Sequence, residues 1–208
     1  MNNPLKLDHI TVVARNLEEG CAYIKDQLGI EMPEGGAHLQ MGTHNKLLSL
    51  GDDVFLELIA VDPTVKSPDR RRWFNLDDFK GDPKLATWVL ATDNIEETSR
   101  LAHPASGQAA EITRGALKWL ISVPETGAMP LDGAFPTFIE WPKGPHPASG
   151  MADLGCRLVS LTVEHPEAEE ILSLIGQKID CGVTRILCSS EIKITAVIQT
   201  HGGLKTLT

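Results

Sequence analysis

The sequence predicts an α+β protein built from a repeated β-α-β-β-β unit. Three observations carry this expectation. Short runs rich in β-branched residues recur along the chain, and helical patterns follow the first run of each group. In addition, HITVVARNLEEG near the start matches SLTVEHPEAEE in the last quarter loosely, strand for strand and helix for helix. Internal repetition constrains the fold more than any single element, because each copy is one supersecondary unit.

LDHITVVA reads as the first strand. Asn16 then caps a helix, with Glu19 completing a capping box. Leu17, Cys21, Ile24 and Leu28 recur at helical spacing, and Gly29 ends the helix. A short strand is expected around Ala37 to Gln40. NKLLSL and VFLELIAV follow as strands joined by Gly51, Asp52 and Asp53, a hairpin signal.

The order then recurs. LATWVLAT is a strand, Asp93 and Glu96 open a short helix with Asp93 as its cap, and AEIT, LKWLISV and FPTFIEW are strands. A third copy begins at CRLVSLTV. Pro166 suits the first turn of its helix, with Ala168, Leu172 and Ile175 as the buried positions. VTRILCS and IKITAVIQT follow, and Gly202-Gly203 turns into a last short strand. The expected units are residues 1–62, 63–153 and 154–208. The linkers Asp62–Pro83 and Trp141–Asp153 hold aromatics that are costly to leave in water, so both read as ordered surface loops.

Composition narrows the function. Across 208 residues, 42% hydrophobic and 23% charged content are ordinary for a globular chain. A formal net charge of -9 argues against a general nucleic-acid binder, which needs a basic face. The cluster Arg70, Arg71 and Arg72, flanked by Asp69, Asp77 and Asp78, reads as solvated surface. MNNPLKLDHI does not look like a secretion signal, and no run approaches a membrane span. Cys21, Cys156, Cys181 and Cys188 form no CxxC pair and are expected as reduced thiols in a cytoplasmic protein.

Several segments together resemble the glyoxalase-like members of the vicinal oxygen chelate superfamily: LDHI on the first strand, GGAHLQMGTHN before the hairpin, FLELIAVDP after it, WVLATDNIEE, LKWLISVP and FIEWPKGPHPAS. The resemblance covers nearly the whole chain. It implies curved mixed sheets closing around a pocket, and a divalent metal (Zn, Ni, Mn or Fe) held by side chains from the first and last strands of each module. His9, Glu57 and Glu140 stand at such positions. The fourth position falls near Trp88 or Leu90, which cannot bind a metal. The resemblance also implies a small-molecule substrate and leaves two arrangements open, a homodimer or a barrel capped by the third unit.

Strand alternation places His9 on a face with Leu7, Thr11 and Val13, Glu57 with Phe55, Ile59 and Val61, and Glu140 with Phe138. A carboxylate in such apolar strands is expensive to desolvate unless a cation or donors meet it; a pocket position and a salt bridge both remain open. His38, His44 and Asn45 stand in a glycine-rich run that suits the rim of a pocket, and His44 is open between ligand and structure. Trp88, Arg114 and His146 complete the candidate substrate-binding set. Arg114 either anchors a substrate carboxylate or pairs with Glu111, and His146 folds back beside Glu140 or lies exposed. Trp119 and Trp141 are expected in the core or pocket wall.

The functional expectation is a metal-dependent lyase or isomerase acting on a small substrate with vicinal oxygens. Glu57 and Glu140 would be catalytic, and His9, Glu57 and Glu140 the metal ligands. The alternatives are a metal-free protein that binds and sequesters a small molecule, for which Trp88 at a ligand position speaks, and an extradiol-type dioxygenase.

Overall fold

The computed structural model describes residues 4–115, 117–180 and 182–208. Met1 to Asn3 and Cys181, which entered the sequence reading, lie outside the described residues. The chain runs through β1 (Lys6–Val13), α1 (Leu17–Leu28), β2 (Gly35–His38), β3 (Thr43–Ser49) and β4 (Phe55–Val61). It continues through β5 (Lys84–Ala91), α2 (Ile95–Leu101), β6 (Gln108–Arg114), β7 (Leu117–Val123) and β8 (Thr137–Glu140). The last elements are β9 (Arg157–His165), α3 (Ala168–Ile171), β10 (Thr184–Cys188), β11 (Lys193–Thr200) and β12 (Gly203–Leu207).

The first eight strands form one mixed sheet in the order β2-β3-β4-β1-β5-β8-β7-β6, and the last four form a second sheet, β10-β9-β11-β12. β1 is the hinge of the large sheet, parallel to β4 and antiparallel to β5. The sheet curves until its two edges meet. There the Gln40 side-chain oxygen accepts from the Thr113 N–H, and Arg114 Nη1 donates to Asn45 Oδ1.

The two faces of this sheet have different tasks. Ile10, Val12, Leu56, Leu58, Trp88 and Phe138 face outward, into a core shared with Ile24 and Leu28 of α1 and with Leu161, Val163 and Ile194 of the small sheet. The last four strands, in which β9 pairs in parallel with β10 rather than with the final strand as β1 and β5 do in their units, therefore back the large sheet from outside. Val13, Ile59, Val89, Ile121 and Ile139 face inward, covered by Trp73, Phe74 and Leu76 from the segment after β4. Strands covered on both faces need near-continuous apolar sequence, as β1 and β4 have.

Local signals explain the elements, with two corrections. Asn16 accepts from the Glu19 N–H, and Gly29 closes α1 at φ 72°, in the left-handed region. In α2 the cap is Asn94, accepting from the Glu97 N–H, rather than Asp93 one residue earlier. In the last segment, α3 runs straight into a π-helical turn over Leu172–Gly176. The wider turn rotates the buried stripe, so Ile171 and Ile175 are buried while Leu172, expected inside, is exposed.

The segment 62–83 is a strap, and Arg72 fastens it. Its guanidinium donates to the Gly42 carbonyl at 3.1 Å and to Asp77 at 2.5 Å, and only 9% of the residue is exposed. This corrects the reading of Arg72 as solvated. Arg70 is exposed, and Arg71 pairs with Asp78 at the surface. Next to the anchor, Phe74 and Asn75 hold φ of 54° and 53°, a conformation that bulky side chains adopt at a cost. Among the described residues no helix is long and apolar enough to cross a membrane.

Removing a buried cation takes a donor from Asp77 Oδ1 and from the Gly42 carbonyl, which keep the backbone N–H groups of residues 72 and 62. Arg72→Ala is expected to lower the unfolding free energy by about 2–4 kcal/mol, read by urea titration. Limited proteolysis should find new cleavage between residues 62 and 83.

Candidate functional site

The site begins with an irregularity in β1. Between Leu7 and His9 the pairing with β5 slips by one residue, which makes Asp8 the extra residue of a β-bulge. The slip has a large effect on direction. Leu7 turns to the outer core with Ile10 and Val12, while His9 turns inward with Val13. The expected sharing of a face by His9 and Leu7 is thereby corrected.

Asp8, which sequence reading did not single out, is the buried anchor of the site. One of its oxygens meets His9 Nδ1 at 2.6 Å, and the other takes Trp141 Nε1 at 2.7 Å and His146 Nε2 at 2.9 Å. Burial works to raise its pKa, but the hydrogen bonds from His146 and His9, with the charges of those rings, outweigh it and hold the group at about 2. As an ionised acceptor, Asp8 fixes the Nδ1–H tautomer of His9 and leaves Nε2 directed at Glu57 Oε2, 3.7 Å away. Phe55 stacks on the imidazole at 4.4 Å between centroids.

Glu57 is held from its other side by Asn45, whose Nδ2 donates to Glu57 Oε1 at 2.7 Å and lies 3.5 Å from His38 Nε2. Asn45 Oδ1 accepts from the Gly36 N–H at 2.9 Å and from Arg114 Nη1 at 3.2 Å. All four hydrogen-bonding positions of this buried amide are thus occupied. The glycines of GGAHLQMGTHN make this possible. A Cβ at Gly35 would stand 2.2 Å from the Asn45 carbonyl oxygen, and one at Gly36 would stand 2.8 Å from Arg114 Cδ.

His9, His38, Asn45, Glu57 and Arg114 line one cavity of about 30 Å³, walled by Phe55, Trp73, Phe74, Trp119 and Trp141. That is room for one or two waters. Burial, followed by the charges of Arg114, His9 and His44, lowers the His38 pKa to about 3, so its ring is neutral at neutral pH.

Four candidate residues lie elsewhere. Glu140 points outward with Phe138, because the neighbouring Ile139 and Trp141 take the inward positions, and its carboxylate accepts the Ile95 N–H at the start of α2 at 2.8 Å. Trp88 is in the outer core and donates to the Ala134 carbonyl at 2.9 Å; the residue opposite His9 across β1 and β5 is Val89. His44 sits beside Asp62 at 4.0 Å, outside the cavity lining. His146 folds back beside Asp8, not Glu140, so it reaches the site through the anchor. Arg114 does not pair with Glu111, which is taken by Lys118.

The three-ligand metal set is therefore not assembled. His9 Nε2 and Glu57 Oε2 converge, but Glu140 is on the opposite face and both Asp8 oxygens are committed. Among the described residues no group of three His, Cys, Asp or Glu side chains is arranged to hold a metal ion. The residues present do not fit the expected metal.

Comparison with known proteins agrees with the fold. A family model described as a glyoxalase-like domain matches residues 7–178. A hypothetical protein from Staphylococcus aureus is 16% identical, covering 91% of this chain and 88% of that one, with a TM-score of 0.58. A mutant of 4-hydroxymandelate synthase from Streptomyces coelicolor is 16% identical over 99% of this chain and 62% of that one, with a TM-score of 0.52. No curated protein matches significantly.

Two outcomes test this geometry. In the unfolded chain His38 takes a proton near its ordinary value of 6.5, but in the folded protein only near 3. The unfolded state binds the extra proton between those values, so stability is full above pH 6.5 and is lost as pH falls toward 3, by on the order of 4 kcal/mol. Denaturant titrations from pH 7.5 to 4 should show that slope, and His38→Gln should flatten it. Glu140→Ala should cost about 1 kcal/mol through loss of the helix cap, with ligand binding in the cavity unchanged; a binding defect would contradict its outward placement.

Proposed function

The chain belongs to the glyoxalase-like domain family of the vicinal oxygen chelate superfamily, and on that premise we propose that it is an acid–base enzyme. Its reaction would be an isomerisation or elimination that moves a proton beside an oxygen of a small substrate. The observation that carries this reading is the chain Asp8–His9···Glu57–Asn45, buried throughout and ending at the cavity.

The chemistry follows from the proton inventory. His9 gives its Nδ1–H to Asp8, so Nε2 and the Glu57 carboxylate are both acceptors unless one of them carries a proton. At 3.7 Å the two acceptors face each other across a gap that a substrate hydrogen could enter. One member takes the substrate proton and that same proton is returned to an adjacent atom, directly or by way of the other member, so the count closes. Asp8 stabilises the imidazolium when His9 is the proton carrier, and Asn45 orients Glu57 through one oxygen while leaving the other free. The aromatic walls exclude water, which strengthens each of these interactions. No step here depends on a metal.

The sequestering alternative draws on a different observation, the density of aromatic rings around the cavity. Incubation in D2O with small 2-oxo and 2-hydroxy compounds, followed by NMR, separates the readings. Wild type is expected to exchange a hydrogen next to an oxygenated carbon, and Glu57→Gln or His9→Asn to lose about 10²–10⁴-fold of that rate. Unchanged exchange in both variants would sink the proposal, and saturable binding with no exchange would favour sequestration. Exchange that disappears with a chelator and returns with one divalent ion would restore the metal-dependent mechanism.

A further inference from the structure

The polar groups of the cavity are unequally spent. Asn45 has no valence left, and both Asp8 oxygens are taken. His9 Nε2 and Glu57 Oε2 form the end that exchanges a proton. The unspent donors lie elsewhere. Arg114 lines the cavity, is half-buried, and commits one N–H of its five to Asn45; it feels the charge of Glu57, but no other hydrogen-bond acceptor meets it among the described residues. Trp73 also lines the cavity, is 4% exposed, and its indole N–H has no partner among the described residues. Asn45 and His38 connect the two: Asn45 bonds Arg114, and the His38 ring stands edge-on to Trp73 at 5.1 Å.

A guanidinium facing a water-poor cavity is costly unless an acceptor meets it. Beside it, on the other side of the Asn45 amide, the His9–Glu57 pair needs a hydrogen that can leave as a proton. We propose that the occupant is a small monocarboxylate, held by Arg114 with the Trp73 N–H as second donor, its α-carbon toward His9 and Glu57. This rests on the acid–base reading and names its substrate class. Removing the α-proton places the new charge on the carboxylate oxygens, against Arg114; returning a proton from the His9–Glu57 pair restores the count. The cavity, about 30 Å³, is smaller than such an acid, so binding requires the strap bearing Trp73 and Phe74 to shift and favours acids of few heavy atoms.

The test is binding, measured by calorimetry and by quenching of tryptophan fluorescence. Its probes are lactate and glycolate, which carry a hydrogen on the α-carbon, against their neutral isosteres, lactamide and glycolamide. Wild type is expected to prefer the acids by at least about tenfold. Arg114→Met should erase the preference, and Trp73→Phe should weaken acid binding severalfold. Gly36→Ala offers a second variant that keeps the charge: its Cβ displaces Arg114 at Cδ, so acid binding should weaken with the fold intact by circular dichroism. Amides binding as tightly as acids, a preference surviving Arg114→Met, or no saturable binding of either acid would each overturn the proposal. Glu57→Gln distinguishes it from the premise. That variant should keep the preference for acids while losing deuterium exchange, whereas exchange on the amides alone would leave the acid–base reading standing without this substrate class.

Discussion

The site depends on one buried carboxylate. Asp8 is 1% exposed and sits near the start of the strand that joins the two halves of the large sheet. An isolated charge there would be prohibitively costly. Three donors, from His9, Trp141 and His146, offset that cost and in doing so define the surroundings. Trp141 is drawn in as a cavity wall, the loop carrying His146 is folded back across the end of β1, and His9 is fixed in one tautomer and one direction. Remove the carboxylate and each of the three loses the acceptor of its ring N–H.

A second constraint closes the sheet. A regular ladder between β2 and β6 would make a continuous barrel and leave no seam. Instead the two edges meet through side chains, Gln40 on the Thr113 amide and Arg114 on Asn45. Gly35 and Gly36 are bare because the Asn45 backbone and the Arg114 stem occupy the space of their side chains. The glycine-rich run thus trades side-chain volume for a polar seam, which brings a cation to the inside of an otherwise aromatic chamber.

Much of the fold was legible in the sequence, because its signals are local. β-branched runs, the Asn16 cap and the Gly29 stop each act within a few residues, and repetition reinforced them. The site was legible where ordinary alternation held: Glu57 on β4 faces inward beside Phe55 and Ile59, as period-two spacing requires. His9, His38, Asn45 and Arg114, singled out as candidates from the sequence, line one cavity. Asp8 was missed because a bulge is a property of strand pairing, and β1 has no glycine or proline to betray it. Trp73 and Phe74 were read as holding a loop down, and nothing local says that Arg72, gripping the Gly42 carbonyl from a distance in sequence, aims them at the cavity.

The two glutamates show why repetition locates elements better than it locates function. Glu57 and Glu140 occupy the last strands of successive repeats, so an argument from repetition gives them one role. Yet Glu57 has Phe55 and Ile59 on its face, which line or adjoin the cavity, whereas Glu140 has Phe138, which belongs to the outer core. The short strand β8 instead turns Ile139 and Trp141 inward, and Trp141 is the residue that Asp8 requires. A carboxylate that cannot face the cavity finds its donor at the nearest helix start, the Ile95 amide. The charge that the second repeat might have given to a metal is thus committed to capping α2, and the inward carboxylate chemistry rests on the first repeat alone.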